Sequence, residues 1–258
     1  MIESLKAKLR DAILWTEAGY RFYLKYKWRV DKPLGYPKAP WRNAVLKTRQ
    51  EWENAVGQVK NLGIPPHPVS SKNWDHLAAL DCILKRTDCA AHVLDAGPEL
   101  GSTILPWLFL YGYRHLTGIN LTFDHPIRRG PIRYEYGDIT QTKFKANTFD
   151  AVTCLSVVEH GVNLQAYFKE VSRILKPKGV LITSTDYYVE PIDTKGQMAY
   201  GVPIHIFSKD EIVEALSIAK EFGLELTGDI SLDCQDKTVR WKEFDLYYTF
   251  LIFTLWKK

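Results

Sequence analysis

The chain has 258 residues, of which 46% are hydrophobic and 25% are charged, and its formal net charge is +4 at pH 7. These values are typical of a soluble globular protein with a sizeable core and exclude a low-complexity chain. The longest apolar run, 246–256, is shorter than the roughly 20 residues of a membrane-spanning helix, and the first residues do not resemble a signal peptide. We therefore expect a cytoplasmic protein.

The four cysteines do not form a metal-ligand pattern. They include no Cys-x-x-Cys pair, and none stands at zinc-ligand spacing from a histidine. We predict that they are reduced thiols with structural roles and that the protein has no metal site.

Residues 1–70 are predicted to form a helical N-terminal cap. Leu5, Leu9 and Ile13 recur at four-residue spacing, which favours a helix over 3–29. The remainder of the cap is predicted as a loop over 31–40, a second helix over 41–60 and a proline-rich linker over 63–68.

Positive charge is concentrated in the N-terminal part of the chain. Residues 1–60 contain 13 Lys and Arg but 6 Asp and Glu, a net charge of +7. One interpretation is a helix whose lysine and arginine stems cover its own apolar face. The other is a surface attracted to an anionic partner, such as acidic lipid headgroups or a sugar linked to phosphate. The charge pattern leaves both interpretations open.

Strands and helices alternate over 71–258, which indicates an α/β domain with a mostly parallel sheet and helices on both faces. Helices are predicted over 74–86, 103–113, 163–175 and 209–222, and the last two strands over 224–232 and 246–255. Ser208 and Glu211 have the spacing of a capping box at the start of the last helix. Pro177 and Gly179 are predicted to end the third helix.

The segment Val93–Thr103 contains an apolar strand, a glycine-bearing turn and the start of a helix. Glycine allows close approach of the backbone to a ligand. The spacing of Asp95, Gly97 and Gly101 resembles the first motif of class I S-adenosylmethionine-dependent methyltransferases, with Glu99 in place of the middle glycine.

Four further segments resemble later motifs of the same family, in the same order: Leu116–Asn120, Tyr134–Ile139, Phe149–His160 and Glu170–Ile182. The resemblance covers roughly 75–257. It implies a doubly wound, Rossmann-like sheet of seven mostly parallel strands, in which the last strand is antiparallel and inserted before its predecessor. It also implies S-adenosyl-L-methionine as the cofactor.

The resemblance assigns candidate cofactor-binding residues. Asp95, Gly97 and Gly101 would line the methionine part, and Asn120 would contact the ribose, where the family usually has Asp or Glu. Asp138 and Ile139 would bracket the adenine, and Leu155 would pack near the cofactor. The complete set is Asp95, Gly97, Gly101, Asn120, Asp138, Ile139 and Leu155.

Three residues are candidates for acid–base catalysis. His160 follows the fourth motif strand, and the ordinary imidazole pKa suits deprotonation of a hydroxyl near neutral pH. His205 lies on the loop before the last predicted helix and is a rival base. Glu159 is predicted to orient either histidine. A structural role for the Glu159–His160 pair is the alternative.

The absence of two sequence motifs limits the classes of methyl acceptor that the protein can have. No Asp/Asn-Pro-Pro-aromatic tetrapeptide follows the fourth motif strand, and no Pro-Cys nucleophile is present. The loop over 186–207 carries aromatic side chains that can stack on a sugar or an aromatic ring. We therefore predict O-methylation of a sugar, a lipid-linked glycan or a small metabolite. The alternatives are a cofactor-binding protein without turnover and an RNA methyltransferase that uses the basic N-terminal region.

Overall fold

The computed structural model describes residues 11–258, so part of the helix predicted over 3–29 lies outside the described residues. Six helices of the described residues are labelled below together with the strands, and a short 3-10 turn spans Ser70–Lys72. The helices are α1 (Glu17–Trp28), α2 (Arg49–Asn61), α3 (Asn73–Arg86), α4 (Ile104–Leu110), α5 (Leu164–Ile174) and α6 (Lys209–Glu221), and residues 11–15 form a helical segment before α1.

The strands are β1 (Ala44–Val45), β2 (His92–Ala96), β3 (His115–Asn120), β4 (Ile127–Arg129), β5 (Ile132–Tyr136), β6 (Phe149–Leu155), β7 (Leu175–Tyr187), β8 (Met198–Ala199), β9 (Val202–Pro203), β10 (Leu224–Leu226), β11 (Val239–Trp241) and β12 (Leu246–Lys257). All except β8 and β9 belong to one sheet, whose main order is β1-β12-β7-β6-β2-β3-β5-β4; β10 and β11 also pair with β12.

Seven of these strands form the predicted fold. Strands β5, β3, β2, β6 and β7 are parallel neighbours. Strand β12 is antiparallel to β7 and lies between β7 and β10. The α/β architecture and the inserted antiparallel last strand are therefore confirmed. Strands β6 and β7 are buried over most of their length, because helices cover both faces of a parallel sheet.

The second helix begins later than the predicted boundary at Trp41. Ala44 and Val45 pair instead with Ile252 and Leu251 of β12. Thr48 then caps α2, because its hydroxyl accepts from the backbone N–H of Glu51 while the Glu51 carboxylate accepts from the backbone of Thr48. Thus the chain adds a short strand to the sheet before the helix can begin.

The end of the helix predicted over 163–175 also shifts. Helix α5 ends at Ile174, because Leu175 has extended backbone and pairs with Phe149. The chain continues directly as β7, through Pro177 and Gly179. The predicted strand over 224–232 is shorter, since only Leu224–Leu226 pairs with β12.

Two hydrophobic clusters lie on opposite faces of the sheet. Leu14, Tyr20 and Leu24, from the N-terminal part, are buried in the same cluster as Trp107 and Phe109 of α4. The division of the chain at residue 70 stays a prediction. Among residues 11–258, no helix combines the length and the apolar character needed to cross a bilayer.

Candidate active site

The residues singled out by the motifs meet at one edge of the sheet. Asp95 is the second-to-last residue of β2, while Asn120 and Leu155 are the last residues of β3 and β6. Asp138 follows β5 by two residues. Since the carboxyl ends of parallel strands lie at the same edge, and ligands of open α/β sheets bind there, this edge is the candidate site.

The turn after β2 depends on glycine for two different reasons. Gly97 has φ of +80°, and a Cβ at this position would lie 2.4 Å from Cγ2 of Val157. Its backbone N–H donates to the carbonyl of Ile119. At Gly101, by contrast, a Cβ would have no atom within 4 Å among the described residues. Gly97 therefore serves the packing of the turn, while Gly101 borders open space.

Two buried hydroxyls at this edge have no hydrogen-bond partner in the part of the chain that the structure describes. They are Oγ1 of Thr103, which precedes α4, and Oγ of Ser156, which follows β6. Burying a hydroxyl without a partner is unfavourable. Both groups are thus suited to a polar ligand beside the turn, although the sequence motifs predicted a role for neither hydroxyl.

Asp95 is buried, and the Thr153 hydroxyl donates to its Oδ1 at 2.6 Å. Burial raises the pKa of the Asp95 carboxyl to about 7, although the Thr153 hydrogen bond acts in the opposite direction. Open space at Gly101, two unpaired hydroxyls and a buried carboxyl together fit a polar, hydroxyl- and charge-bearing group such as the predicted cofactor.

Asn120 is held by its own neighbours. Its Nδ2 donates to the Pro98 carbonyl at 3.1 Å, and its Oδ1 accepts from the backbone N–H and the hydroxyl of Thr122 at 2.9 and 3.0 Å. Because both lone pairs of the amide oxygen are engaged, the second N–H of Nδ2 is the group that remains for a ligand. The side chain ties the tip of β3 to the glycine turn.

Asp138 and Ile139 follow β5. The backbone N–H and hydroxyl of Thr140 donate to Oδ1 of Asp138 at 2.8 and 2.7 Å, and Ile139 is buried. A cavity of about 490 Å³ lies beside this loop, between residues that include Ile119, Gly137 and Asp138. Of the seven predicted cofactor residues, Asp138 alone lines this cavity. The cavity therefore lies beside the predicted adenine end and not beside the glycine turn.

A buried carboxyl pair, Glu159 and Asp186, forms the other part of the site. The Thr185 hydroxyl donates to Oε2 of Glu159 at 3.1 Å. Burial raises the pKa of Glu159 to about 8, and the nearby Asp186 carboxyl adds to this rise. Within the described residues, the side-chain hydrogen bond of Glu159 goes to Thr185 and to neither predicted histidine.

Asp186 was not a sequence-predicted site residue. Burial raises the pKa of Asp186 to about 7, while the Lys72 ammonium and a hydrogen bond from Tyr248 act in the opposite direction. Lys72 precedes α3 and Tyr248 lies on β12, so the groups around Asp186 come from distant parts of the chain. No motif connects these residues in the sequence.

Asp75 of α3 lies against the same strand end. Its carboxylate accepts from the Ser184 hydroxyl at 2.7 Å and lies 3.0 Å from Nδ1 of His76. Burial alone would raise the pKa of Asp75, but His76, Lys72 and Ser184 outweigh burial and hold the pKa below its usual value. This carboxylate is therefore ionised at neutral pH, unlike the Glu159–Asp186 pair.

His160 is half-buried beside the carboxyl pair, and its ring contacts Tyr200 edge-on at a centroid distance of 5.0 Å. Burial and the charge of Lys72 lower the pKa of His160 to about 4. The imidazole is thus neutral at pH 7 and can accept a proton, but it is a weaker base than an exposed histidine.

His205 lies on the loop before α6. Its Nε2 is 3.2 Å from Oε1 of Glu211, and its ring packs edge-on against Phe207. Glu211 also belongs to the predicted capping box with Ser208, which the structure contains. The imidazole therefore contacts the cap of a helix in this conformation.

Aromatic side chains border the site near His160. Tyr200 is exposed and lies 6.5 Å from Trp241, which packs edge-on against Phe244 at 4.7 Å. Tyr187, in contrast, is fully buried, and its hydroxyl donates to the Leu232 carbonyl. Tyr200 belongs to the loop over 186–207, whose aromatic side chains were predicted to stack on the acceptor. Trp241 and Phe244, which come from β11 and the turn after it, were not predicted.

A comparison with protein families identifies the segment that builds this edge. Residues 94–183 match the family described as methyltransferase domain. Over this stretch the chain is similar to methyltransferase domains. The matched range includes all seven predicted cofactor residues, from Asp95 to Leu155, so the predicted resemblance to class I methyltransferases is confirmed.

Curated relatives of the methyltransferase domain have different substrates. A sterol 24-C-methyltransferase of Neurospora crassa is 26% identical over 166 residues, which are 58% of this chain and 43% of that protein. An erythromycin 3''-O-methyltransferase of Saccharopolyspora erythraea is 30% identical over 122 residues, 43% of this chain and 39% of that protein. The chain thus matches less than half the length of these relatives.

A solved structure has the same fold along nearly the whole chain. The geranyl diphosphate C-methyltransferase of Streptomyces coelicolor A3(2) covers 93% of this chain and 98% of its own, with a TM-score of 0.54 and 16% sequence identity. At this identity the likeness concerns the fold.

Proposed function

We propose that this protein is an S-adenosylmethionine-dependent methyltransferase. The observation that carries the proposal is the open space at Gly101, together with the unpaired hydroxyls of Thr103 and Ser156 at the same edge of the sheet, within the segment that is similar to methyltransferase domains. The Streptomyces enzyme of the same fold was solved with S-adenosyl-L-homocysteine. When bound, the cofactor supplies a methyl group on a sulfonium centre.

The chain's own residues have distinct tasks in this proposal. The turn from Asp95 to Gly101 holds the methionine part, the free N–H of Asn120 donates to a ribose hydroxyl, and Asp138 with Ile139 holds the adenine. Leu155 packs against the cofactor at the end of β6. Holding donor and acceptor in contact accounts for much of the catalysis of a displacement reaction.

The Glu159–Asp186 pair is the strongest candidate for proton acceptor among the groups at this edge. Two buried carboxyls with raised pKa values share a proton near neutral pH. The acceptor hydroxyl then loses its proton to the ionised carboxylate as its oxygen takes the methyl group. His160 contacts the acceptor in this scheme, and His205 remains a predicted rival base.

The proposed acceptor is a sugar, a lipid-linked glycan or a small metabolite that is methylated on oxygen. Tyr200, Trp241 and Phe244 support this proposal, because an aromatic face can stack on a sugar ring. The erythromycin O-methyltransferase among the relatives is consistent with such an acceptor.

We further propose a cytoplasmic location and a contact between the basic N-terminal part and an anionic surface. The net charge of +7 over residues 1–60 supports the contact. An RNA acceptor is the competing use of this charge, and it would require an affinity for RNA that falls steeply with salt.

Calorimetric titration with S-adenosylhomocysteine, followed by transfer of labelled methyl groups into an extract of metabolites and lipids, tests the proposal. We expect binding and labelling of a small molecule. Binding without labelling of any fraction would favour a cofactor-binding protein without turnover. Absence of binding would contradict the cofactor assignment itself.

A further inference from the structure

Exposed apolar side chains are concentrated in the N-terminal part of the molecule. Fourteen large hydrophobic residues are exposed among the described residues, and six of them lie between residues 13 and 36. Large exposed apolar areas on a monomer mark interaction sites more often than single exposed residues do. We therefore expect residues 13–36 to form an interaction site.

Helix α1 presents two of these side chains, Phe22 and Tyr26, on its outer face. Tyr20 and Leu24 are buried in the core, whereas Phe22 and Tyr26 are 69% and 80% exposed. Phe22 and Tyr26 are four residues apart, so they lie together on one face of the helix. A helix that only covers a core would carry polar residues at these positions.

The loop after α1 extends the exposed area. Leu34 and Tyr36 are 79% and 73% exposed. The loop is held in place, since Leu34 N–H donates to the Leu62 carbonyl and the Tyr111 hydroxyl donates to the Gly35 carbonyl. It also begins beside α1, where the Lys25 ammonium lies 3.2 Å from Oδ2 of Asp31.

The charges on this stretch are mostly positive. Its acidic residues are already paired, Glu17 with Arg21 and Arg114, and Asp31 with Lys25. Exposed cations surround the apolar side chains: Lys25, Lys27, Arg29 and Lys32. Aromatic rings interspersed with cations are typical of surfaces that lie in the interface of an anionic bilayer.

We infer that Phe22, Tyr26, Leu34 and Tyr36, here called the aromatic face, dock onto a bilayer that contains anionic phospholipid. The rings enter the headgroup region while Arg29 and Lys32 contact lipid phosphates. The inference deepens the proposed anionic contact, on which it rests, by naming the surface and its partner. It does not depend on the methyltransferase assignment.

Vesicle sedimentation tests this inference. The probes are vesicles of phosphatidylcholine alone and of an equimolar mixture with phosphatidylglycerol. The aromatic variant combines Phe22→Ser with Tyr26→Ser, and the charge variant combines Arg29→Gln with Lys32→Gln. A matched control combines Tyr247→Ser with Lys242→Gln, two exposed residues on the β11–β12 hairpin.

We expect the unaltered protein to bind the anionic vesicles and not the neutral ones. The charge variant should bind about 25-fold more weakly, at about fivefold per removed cation, and the aromatic variant roughly tenfold or more weakly. The control should bind like the unaltered protein. Affinity for S-adenosylhomocysteine, measured on the same variants, should not change.

Three outcomes would overturn the inference. If the charge variant weakens binding while the aromatic variant does not, the anionic contact stands but the aromatic face is wrong. Absence of binding, or equal binding to neutral vesicles, removes the anionic bilayer as the partner. Self-association that the aromatic variant abolishes would identify a second copy of the chain as the occupant.

Discussion

The two parts of the candidate site are held together in different ways. On the cofactor side, Asn120 and Asp138 bond to Thr122 and Thr140, each two residues further along the chain. On the acceptor side, the Ser184 hydroxyl reaches Asp75 across 109 residues of sequence. Asp186 likewise meets Tyr248 and Lys72 only in the folded chain.

This difference has a chemical consequence. On the cofactor side, local hydrogen bonds satisfy the side-chain oxygens of Asn120 and Asp138 within their own turns, as expected for Asx turns. Long-range packing brings Glu159 and Asp186 together in a buried place, where each disfavours ionisation of the other. In the proposed function, the cofactor side would hold its ligand by shape, while the acceptor side would supply the groups that transfer a proton.

The largest expected effect concerns the carboxyl pair. Glu159→Gln should lower methyl transfer by about 100- to 10,000-fold, the usual range for removal of a general base, because the amide cannot accept the acceptor's proton. Affinity for S-adenosylhomocysteine should stay within a few-fold. Initial rates with labelled cofactor and calorimetry measure the two quantities.

The control for this prediction is Glu214→Gln, which removes an exposed carboxylate on α6 and should retain nearly full activity. His205→Gln tests the rival base, and full activity of this variant would exclude that role. If Glu159→Gln is active while His160→Gln is not, the imidazole is the base. The carboxyl pair then has no role in proton transfer.

The next prediction separates the two glycines of the turn. Gly101→Val should weaken binding of S-adenosylhomocysteine by roughly ten- to 100-fold, because its side chain enters space that a ligand needs and that no described protein atom occupies. Thermal stability should not change. Calorimetry and a melting curve measure both effects.

Gly97→Ala is the matched variant. Its Cβ would meet Val157, and its φ of +80° is strained for alanine, so the free energy of unfolding should fall by about 1–3 kcal/mol. Equal loss of stability in both variants would show that Gly101 also serves packing, which would weaken the case for a ligand there.

The raised pKa values predict a pH dependence of stability. The folded-state pKa values of Asp95, Glu159 and Asp186 are about 7, 8 and 7, against about 4 in an unfolded chain. The folded state therefore binds more protons than the unfolded state between about pH 4 and pH 8. Since unfolding releases these protons, the free energy of unfolding falls as pH rises through this range.

Two histidines oppose this trend at lower pH. Burial lowers the pKa values of His67 and His160 to about 3 and 4, so their contribution to stability is lost as pH falls below about 6.5. The net fall should consequently be clearest between about pH 6.5 and pH 8, and amount to roughly 1–2 kcal/mol.

Urea unfolding at pH 6.5 and pH 8 measures this difference. Asp186→Asn should make the difference smaller, because Glu159 then loses its like-charged neighbour and one titrating group is removed. A pH dependence that is the same in this variant and in the unaltered protein would argue against a shared proton.

The smallest expected effect concerns Asn120. Asn120→Asp should destabilise the fold by about 1 kcal/mol, since a carboxylate cannot donate to the Pro98 carbonyl. Asn120→Ala should lose a similar amount. If Asn120→Asp instead binds S-adenosylhomocysteine more tightly and melts at the same temperature, the ribose contact outweighs the internal hydrogen bond.

The order of strands and the location of the site follow from contiguous stretches of sequence. The segment Val93–Thr103 encodes a strand, a turn and a helix start with its own residues, so a motif suffices to identify it. The same holds for Asp138 and Leu155 at the ends of β5 and β6. Resemblance in five such segments implied the sheet topology, which the structure confirms.

Tertiary structure alone decided the rest. Pairing of β7 with β12 places Asp186 opposite Phe250, two residues from Tyr248, and packing of the segment before α3 brings Lys72 to them. That the Ser156 hydroxyl is buried without a hydrogen-bond partner is visible only in the folded structure. Burial and proximity of residues distant in sequence depend on how the elements pack, and a single sequence does not encode that packing in any local pattern.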